Sequence, residues 1–147
     1  MTAIDPLDQA ALWLDAGEGV ALATVVATWG SAPRPVGGQQ ALTAGGAFAG
    51  SVSGGCVEGA VIEAGVRAIT DGAPRRLSFG VADDDARAVG LACGGEISVF
   101  VEPVARDGAI LRALNAARAA RKPAALVTGL ADGAQLLLVD GEAPLGP

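Results

Sequence analysis

Two glycine-rich segments, each containing one of the chain's two cysteines, constrain the fold more than any other feature. One spans residues 51–58 around Cys56, and the other spans residues 90–96 around Cys93. Glycine has no Cβ, so such segments turn tightly and bring backbone N–H groups close to a ligand. We therefore expect two tight turns, each bearing a thiol, that form the two halves of one site.

Apolar periodicity predicts short helices and strands between these turns. Asp5 and Pro6 are expected to cap and begin a helix, and Val20 to Trp29 is expected to be a buried strand. The later patterns predict a hairpin at 39–51, a helix from Cys56 to Gly72, a strand at 75–79, a helical turn from Asp83, a half-buried strand at 97–102, a helix between Gly108 and Pro123, and a hairpin at 124–139.

The order of these elements predicts the fold class. Helices alternate with strands and hairpins, which is typical of an α/β or α+β domain with a mixed β-sheet covered by helices. We expect one domain over residues 1–147, with its motifs in 12–103 and a C-terminal helix and hairpin in 107–140. No Gly-x-Gly-x-x-Gly follows a predicted strand, so no Rossmann domain is expected.

Composition argues against several functions. The net charge is −6 and the ten basic residues are scattered, so nucleic acid is not an expected partner. No apolar run reaches the roughly 20 residues that cross a bilayer, which favours a soluble cytoplasmic protein with reduced thiols. The absence of histidine removes Ser-His-Asp catalysis, Cys-His catalysis and most zinc sites.

The first glycine segment has the properties of an anion site. A helix beginning at Cys56 would direct free N–H groups and the positive end of its dipole toward Gly54 and Gly55, and this field favours a thiolate. The alternative is that the glycines only shape a turn and the cysteine is a small buried residue. Cys93, followed by Gly94 and Gly95, repeats the pattern in reverse order.

Two thiols without histidine suit three kinds of chemistry: a soft metal centre, a persulfide carrier or a dithiol redox pair. Arg34, held between two prolines, can clamp a phosphate or simply be solvated. Trp29 can stack on a flat heterocycle, although a tryptophan that ends an apolar strand is more often in the core. Glu58 and Glu96 are interpreted as capping or solvated carboxylates.

Three ordered motifs resemble the N-terminal domain of the XdhC/CoxI family, the accessory proteins of xanthine dehydrogenase and carbon monoxide dehydrogenase. The motifs occupy residues 30–37, 50–58 and 90–95. The resemblance covers about residues 12–103. Family members commonly continue into a Rossmann domain, which this chain does not show.

The resemblance implies a chaperone that binds molybdenum cofactor (molybdopterin) as cargo, helps a cysteine desulfurase to sulfurate it, and delivers it to the apo-enzyme of a molybdenum hydroxylase. It implies a carrier with no catalytic residue, working with a separate Rossmann-domain protein or as a homodimer. The implied cofactor-binding residues are Arg34, Ser53, Gly54, Gly55, Cys56, Cys93, Gly94 and Gly95, with Cys56 and Cys93 as contacts to molybdenum.

Two other functions stay open at the level of sequence. In a thiol redox or sulfur-transfer protein, Cys56 would attack and Cys93 would resolve the intermediate. In a structural or regulatory subunit, the glycines would shape turns and replacement of either cysteine would change stability alone.

Overall fold

A computed structural model describes residues 4–30, 34–53, 57–80 and 95–147. In these residues the chain forms three helices and seven strands. The helices are α1 (Pro6–Asp15), α2 (Glu58–Asp71) and α3 (Ala109–Ala119). The strands are β1 (Val20–Trp29), β2 (Gln39–Thr43), β3 (Phe48–Gly50), β4 (Arg75–Phe79), β5 (Glu96–Pro103), β6 (Ala124–Thr128) and β7 (Gln135–Val139).

The strands form two sheets. The larger sheet has the order β3-β2-β1-β5-β4, and β6 and β7 form a separate two-stranded sheet, the C-terminal hairpin. Every described pairing in both sheets is antiparallel. The predicted combination of a sheet with covering helices in an α/β or α+β class is confirmed, and the structure adds the strand order.

Helices cover both faces of the larger sheet. Since side chains alternate along a strand, β1 directs Ala21, Ala23 and Val25 to one face and Val20 and Leu22 to the other. The first set packs in a buried cluster with the apolar side of α2, and the second packs with α1 and α3. The larger sheet is therefore the middle layer of the domain.

Strand β5 departs from its predicted half-buried character. Residues 97–102 are buried on both faces, including Phe100 and Glu102, which the alternating pattern assigns to the exposed side. Phe100 and Glu102 face the layer that contains α3 and the C-terminal hairpin. This layer comes from sequence beyond the strand, so the local pattern of β5 does not reveal it.

The helix boundaries agree with their capping signals, with one exception. The Asp5 carboxylate accepts the Leu7 N–H at 2.8 Å and caps α1, and Gly72 ends α2 in the left-handed conformation with φ 72°. Helix α2 begins at Glu58, later than the predicted start at Cys56. The helical turn predicted from Asp83 lies outside the described residues. Within the described ranges, no helix has the length and apolar character needed to cross a membrane.

Candidate functional site

The segments that flank the predicted site residues meet at one end of the larger sheet. Trp29, at the end of β1, pairs with Glu96, at the start of β5. Just beyond this pair, a Cβ built on Gly30 would lie 3.6 Å from the Cα of Gly95. Phe79, at the end of β4, pairs with Ile97, the second residue of β5. The ends of three strands, each next to a glycine-containing segment, are therefore neighbours.

The segment that leads to α2 starts beside the first residue of β2. The Ser51 N–H donates to the carbonyl of Gln39, the first residue of β2, at 3.0 Å. Gly50 has φ 81°, and a Cβ there would collide with the same carbonyl oxygen. Only glycine combines this left-handed backbone with so close an approach. Gly50, the first residue of the motif at 50–58, thus fixes where the chain leaves the sheet.

Two serines and a glutamate form a hydrogen-bond network at the entrance to α2. Ser51 Oγ donates to Glu58 Oε1 at 2.6 Å, and Ser53 Oγ donates to Glu58 Oε2 at 2.9 Å. Ser53 Oγ also accepts the Val57 N–H at 3.0 Å. Because Ser53 is fully buried, these contacts fix Ser53 and Val57 relative to each other. The network therefore holds the residues on both sides of 54–56.

Glu58 has a structural role in this network. Its carboxylate lies in the first turn of α2, where the helix dipole favours a negative charge. Both carboxylate oxygens accept serine hydroxyls, which orients the side chain back toward the glycine-rich segment. The sequence interpretation of Glu58 as a capping carboxylate is consistent with this geometry, but the pattern alone does not identify its serine partners.

Three of the predicted site residues lie in the described part of the chain. Arg34 is exposed, and none of the described residues forms an ion pair with it, so its guanidinium is available to an anion. Ser53 and Gly95 are buried. The other predicted site residues, Gly54, Gly55, Cys56, Cys93 and Gly94, lie outside the described residues. A shared site for the two thiols therefore stays a prediction.

A tryptophan at the end of an apolar strand is usually in the core, but Trp29 lies at the surface. The side chain is 59% exposed. It extends past the residues of β1 that pair with β2, which end at Thr24. An exposed tryptophan beside Gly30 and Gly95 offers a flat apolar surface at the same end of the sheet.

Gln40 is a residue that sequence reasoning missed. It lies on β2 next to Gln39 and is fully buried, and neither polar atom of its side chain has a hydrogen-bond partner among the described residues. A buried polar group without a partner typically costs about 1–3 kcal/mol. Three of the five residues of β2 are polar, so the sequence pattern does not single out Gln40 as buried.

The described residues do not supply a metal site of their own. Across residues 4–30, 34–53, 57–80 and 95–147, no group of three or more histidine, cysteine, aspartate or glutamate side chains could hold a metal ion. The described residues in and beside the three motifs instead include an exposed arginine, an exposed tryptophan and a hydrogen-bonded entrance to a helix. Such a set can bind a flat molecule that carries an anionic group.

Comparison with protein families gives one match. Residues 13–80 match the model of the XdhC and CoxI family. The matched segment extends from α1 to the end of β4 and includes Arg34, Ser53 and Glu58.

Two proteins of Escherichia coli K12 are similar in sequence. The molybdenum cofactor insertion chaperone PaoD is 34% identical over 113 residues, which are 77% of this chain and 35% of PaoD. The uncharacterized protein YqeB is 40% identical over 81 residues, which are 55% of this chain and 15% of YqeB. The chain therefore spans about a third of PaoD and a smaller part of YqeB.

A crystal structure of a Bacillus halodurans protein described as a xanthine dehydrogenase has the same fold. The TM-score is 0.78 at 20% identity, and the alignment covers 97% of this chain and 45% of that one. The likeness supports the arrangement of helices and strands.

Proposed function

We propose that this chain is a member of the XdhC and CoxI family that binds molybdenum cofactor as cargo and helps to insert it into a molybdenum hydroxylase. One observation carries the proposal: Gly30 and Gly95, which belong to the motifs at 30–37 and 90–95, are neighbours, and the motif at 50–58 starts beside Gln39, where β2 begins. Molybdenum cofactor joins a phosphate, a flat pterin and a metal with sulfur ligands, and these motifs and the residues beside them offer a group for each part.

The phosphate and the pterin have matching groups among the described residues. Arg34 is exposed and can form paired hydrogen bonds with phosphate oxygens. The N-terminus of α2 adds the positive end of a helix dipole. The exposed ring of Trp29 offers a stacking surface for the pterin.

The thiols complete the proposed site. Ser53 and Val57 flank Gly54, Gly55 and Cys56, and the network to Glu58 supports this segment from both sides. Gly95 follows Cys93 and Gly94 and lies next to Gly30. We propose that Cys56 and Cys93 contact the molybdenum or its sulfur ligands, because thiolates are soft ligands suited to such a centre.

The proposal also includes the partners that would sulfurate the cofactor and receive it. A thiol beside the bound metal could receive sulfur from a cysteine desulfurase before the cofactor passes to the apo-hydroxylase, in the cytoplasm where thiols stay reduced. The chain spans 35% of PaoD and 45% of the Bacillus halodurans chain. We propose that delivery also involves a separate Rossmann-domain protein or a second copy of this chain.

The test is retention of the cofactor by the purified chain. The protein is incubated anaerobically with molybdenum cofactor and desalted, and the retained molybdenum and pterin are quantified for wild type, Cys56→Ser, Cys93→Ser and Arg34→Gln. We expect stoichiometric retention by wild type and a loss in each variant. Arg76→Gln is the matched control, because Arg76 is an exposed arginine of β4 that lies outside the three family-like motifs.

The outcomes separate the open functions. Retention by wild type and Arg76→Gln that falls in the other variants supports the chaperone. Absence of retention by wild type contradicts autonomous cofactor binding. If the cysteines instead cycle to a disulfide under mild oxidation without cofactor, the thiol redox or sulfur-transfer function is favoured.

A further inference from the structure

A cleft separates the larger sheet from α3 and the C-terminal hairpin, on the face opposite α2. It contains a cavity of about 320 Å³ beside α3 and an adjoining cavity of about 380 Å³ that continues toward β2. The two cavities share a set of residues that we call the cleft centre: Leu7, Leu22, Leu114, Leu126, Glu102 and Gln135. A space of this size with mostly apolar walls and a few polar groups is typical of small-molecule sites.

The polar part of the cleft centre is held in place from both walls. Gln135 Nε2, on the hairpin, donates to Glu102 Oε1, on β5, at 2.9 Å. The same amide lies 3.3 Å from the Thr128 hydroxyl oxygen across the hairpin. Only 8% of Glu102 is exposed, and burial raises the pKa of its carboxyl to about 7. A single oriented carboxyl thus lies among leucine side chains.

The charged side chains that line the cleft are acidic. Among the described residues that line the two cavities, the charged side chains are Glu102 and Asp107, and lysine and arginine are missing. Asp107 Oδ1 accepts the Ala109 N–H at 3.0 Å at the start of α3. Glu102 forms no ion pair with the described basic residues. An anion would meet two carboxyl groups and no basic side chain among these residues, whereas a cation would supply the missing charged partner of Glu102.

We propose that this cleft is a second binding site, which takes a small, mostly apolar organic cation whose N–H groups pair with Glu102. Apolar surface of the ligand would contact Leu22 and Leu126 while its N–H groups reach the carboxylate. The lack of basic lining makes the site unsuited to a phosphate-bearing ligand such as molybdenum cofactor. The second cavity continues to Gly37 and Gln39, next to the motif at 30–37, so the two proposed sites differ in ligand chemistry and in the residues that bind the ligand.

A series of three ligands with the same ring and different charge tests the proposal. Benzamidine is the cationic probe, benzamide is its neutral counterpart and benzoate is its anionic counterpart. Binding to the purified 147-residue chain is measured by calorimetry and by the thermal unfolding midpoint at pH 8. We expect saturable one-to-one binding of benzamidine, at least about tenfold weaker binding of benzamide, and no binding of benzoate.

Variants locate the binding site. Glu102→Gln keeps the size of the side chain and removes the charge, so benzamidine should bind at least about tenfold more weakly. Glu142→Gln removes the same charge from an exposed residue that pairs with Lys122 at 3.1 Å, outside the cleft lining, and should leave the affinity unchanged. This control separates specific binding from the general attraction of a cation to an acidic protein.

Ligand binding by wild type, as well as by the variants, can contradict the proposal. Undetectable binding of benzamidine, or equal binding of the three ligands, contradicts it without any variant having to fold. Equal affinity of Glu102→Gln and wild type also contradicts it. None of these measurements uses molybdenum cofactor, so failure here leaves the proposed cargo function to its own test.

Discussion

The two faces of the larger sheet are packed to different degrees. On the α2 face, Leu42, Val61 and Val99 are completely buried, and Gly65 of α2 lies against the Leu42 side chain. On the opposite face, Leu22 borders open cavities under the C-terminal hairpin. Both faces bury apolar side chains, but the two cavities formed by described residues of the sheet both lie on the face opposite α2. The difference indicates a rigid support on the α2 face and space for a ligand on the other.

Replacement of one leucine on each face should give the largest difference in the free energy of unfolding between the two faces. Leu42→Ala should lower the free energy of unfolding by about 4 kcal/mol, because a filled core cannot collapse around the cavity. Leu22→Ala should cost about 2 kcal/mol, because Leu22 already adjoins empty space. Both values come from urea denaturation. Equal losses for the two variants would contradict the difference in packing.

The pH dependence of the free energy of unfolding tests whether burial raises the pKa of Glu102, the carboxyl on the face opposite α2. The pKa of Glu102 rises from its ordinary 4.5 to about 7 on folding, so the folded protein binds the proton more tightly. Its contribution to stability is fully present below pH 4.5 and is lost as the pH rises through 7, by about 3 kcal/mol. The measurement is the free energy of unfolding of wild type minus that of Glu102→Gln between pH 4 and about 8.

The matched control for this profile is Glu142→Gln, whose carboxylate is about half exposed. The difference between wild type and Glu142→Gln should stay nearly flat over the same range, because an exposed ion pair contributes little. If the difference in free energy of unfolding between wild type and Glu102→Gln is flat as well, burial on this face does not raise the pKa of the Glu102 carboxyl and the prediction is wrong.

Two glycines of α2 provide a smaller test of the filled face. A Cβ on Gly65 would lie 2.5 Å from both Cδ atoms of Leu42, which is buried and cannot move away. Gly65→Ala should therefore cost about 1–2 kcal/mol even though alanine favours helix. Gly59 has no neighbour within 4 Å of such a Cβ, so Gly59→Ala should stabilise by up to about 1 kcal/mol. Thermal unfolding compares the two, and a stabilising Gly65→Ala would contradict tight packing.

Local signals in the sequence predict most of the elements. Asp5 and Pro6 mark the start of α1, the β-branched run from Val20 to Trp29 marks β1, and Gly72 marks the end of α2, each through a preference of its own backbone or side chain. The resemblance to the family is confirmed by the match of residues 13–80.

Features that depend on distant parts of the chain are not predictable in this way. The burial of Glu102 requires α3 and the C-terminal hairpin, which follow it in sequence and cover the second face of β5. The exposure of Trp29 depends on where β2 stops pairing with β1. The link from Glu58 to both serines requires the turn at Gly50. Each is set by tertiary geometry, whereas periodicity reports only local preference.

The pairing of β1 with β5 has a consequence for the order of folding. Strands β1, β2 and β3 follow each other closely in the chain, so they can pair early at little cost in chain entropy. Strand β5 can join β1 only after a long loop containing α2 and β4 has closed, and such non-local pairing is slow. Gly30 and Gly95 become neighbours in that step. We therefore expect the proposed cargo site to be assembled last, so that a nascent or partly folded chain cannot bind the cargo.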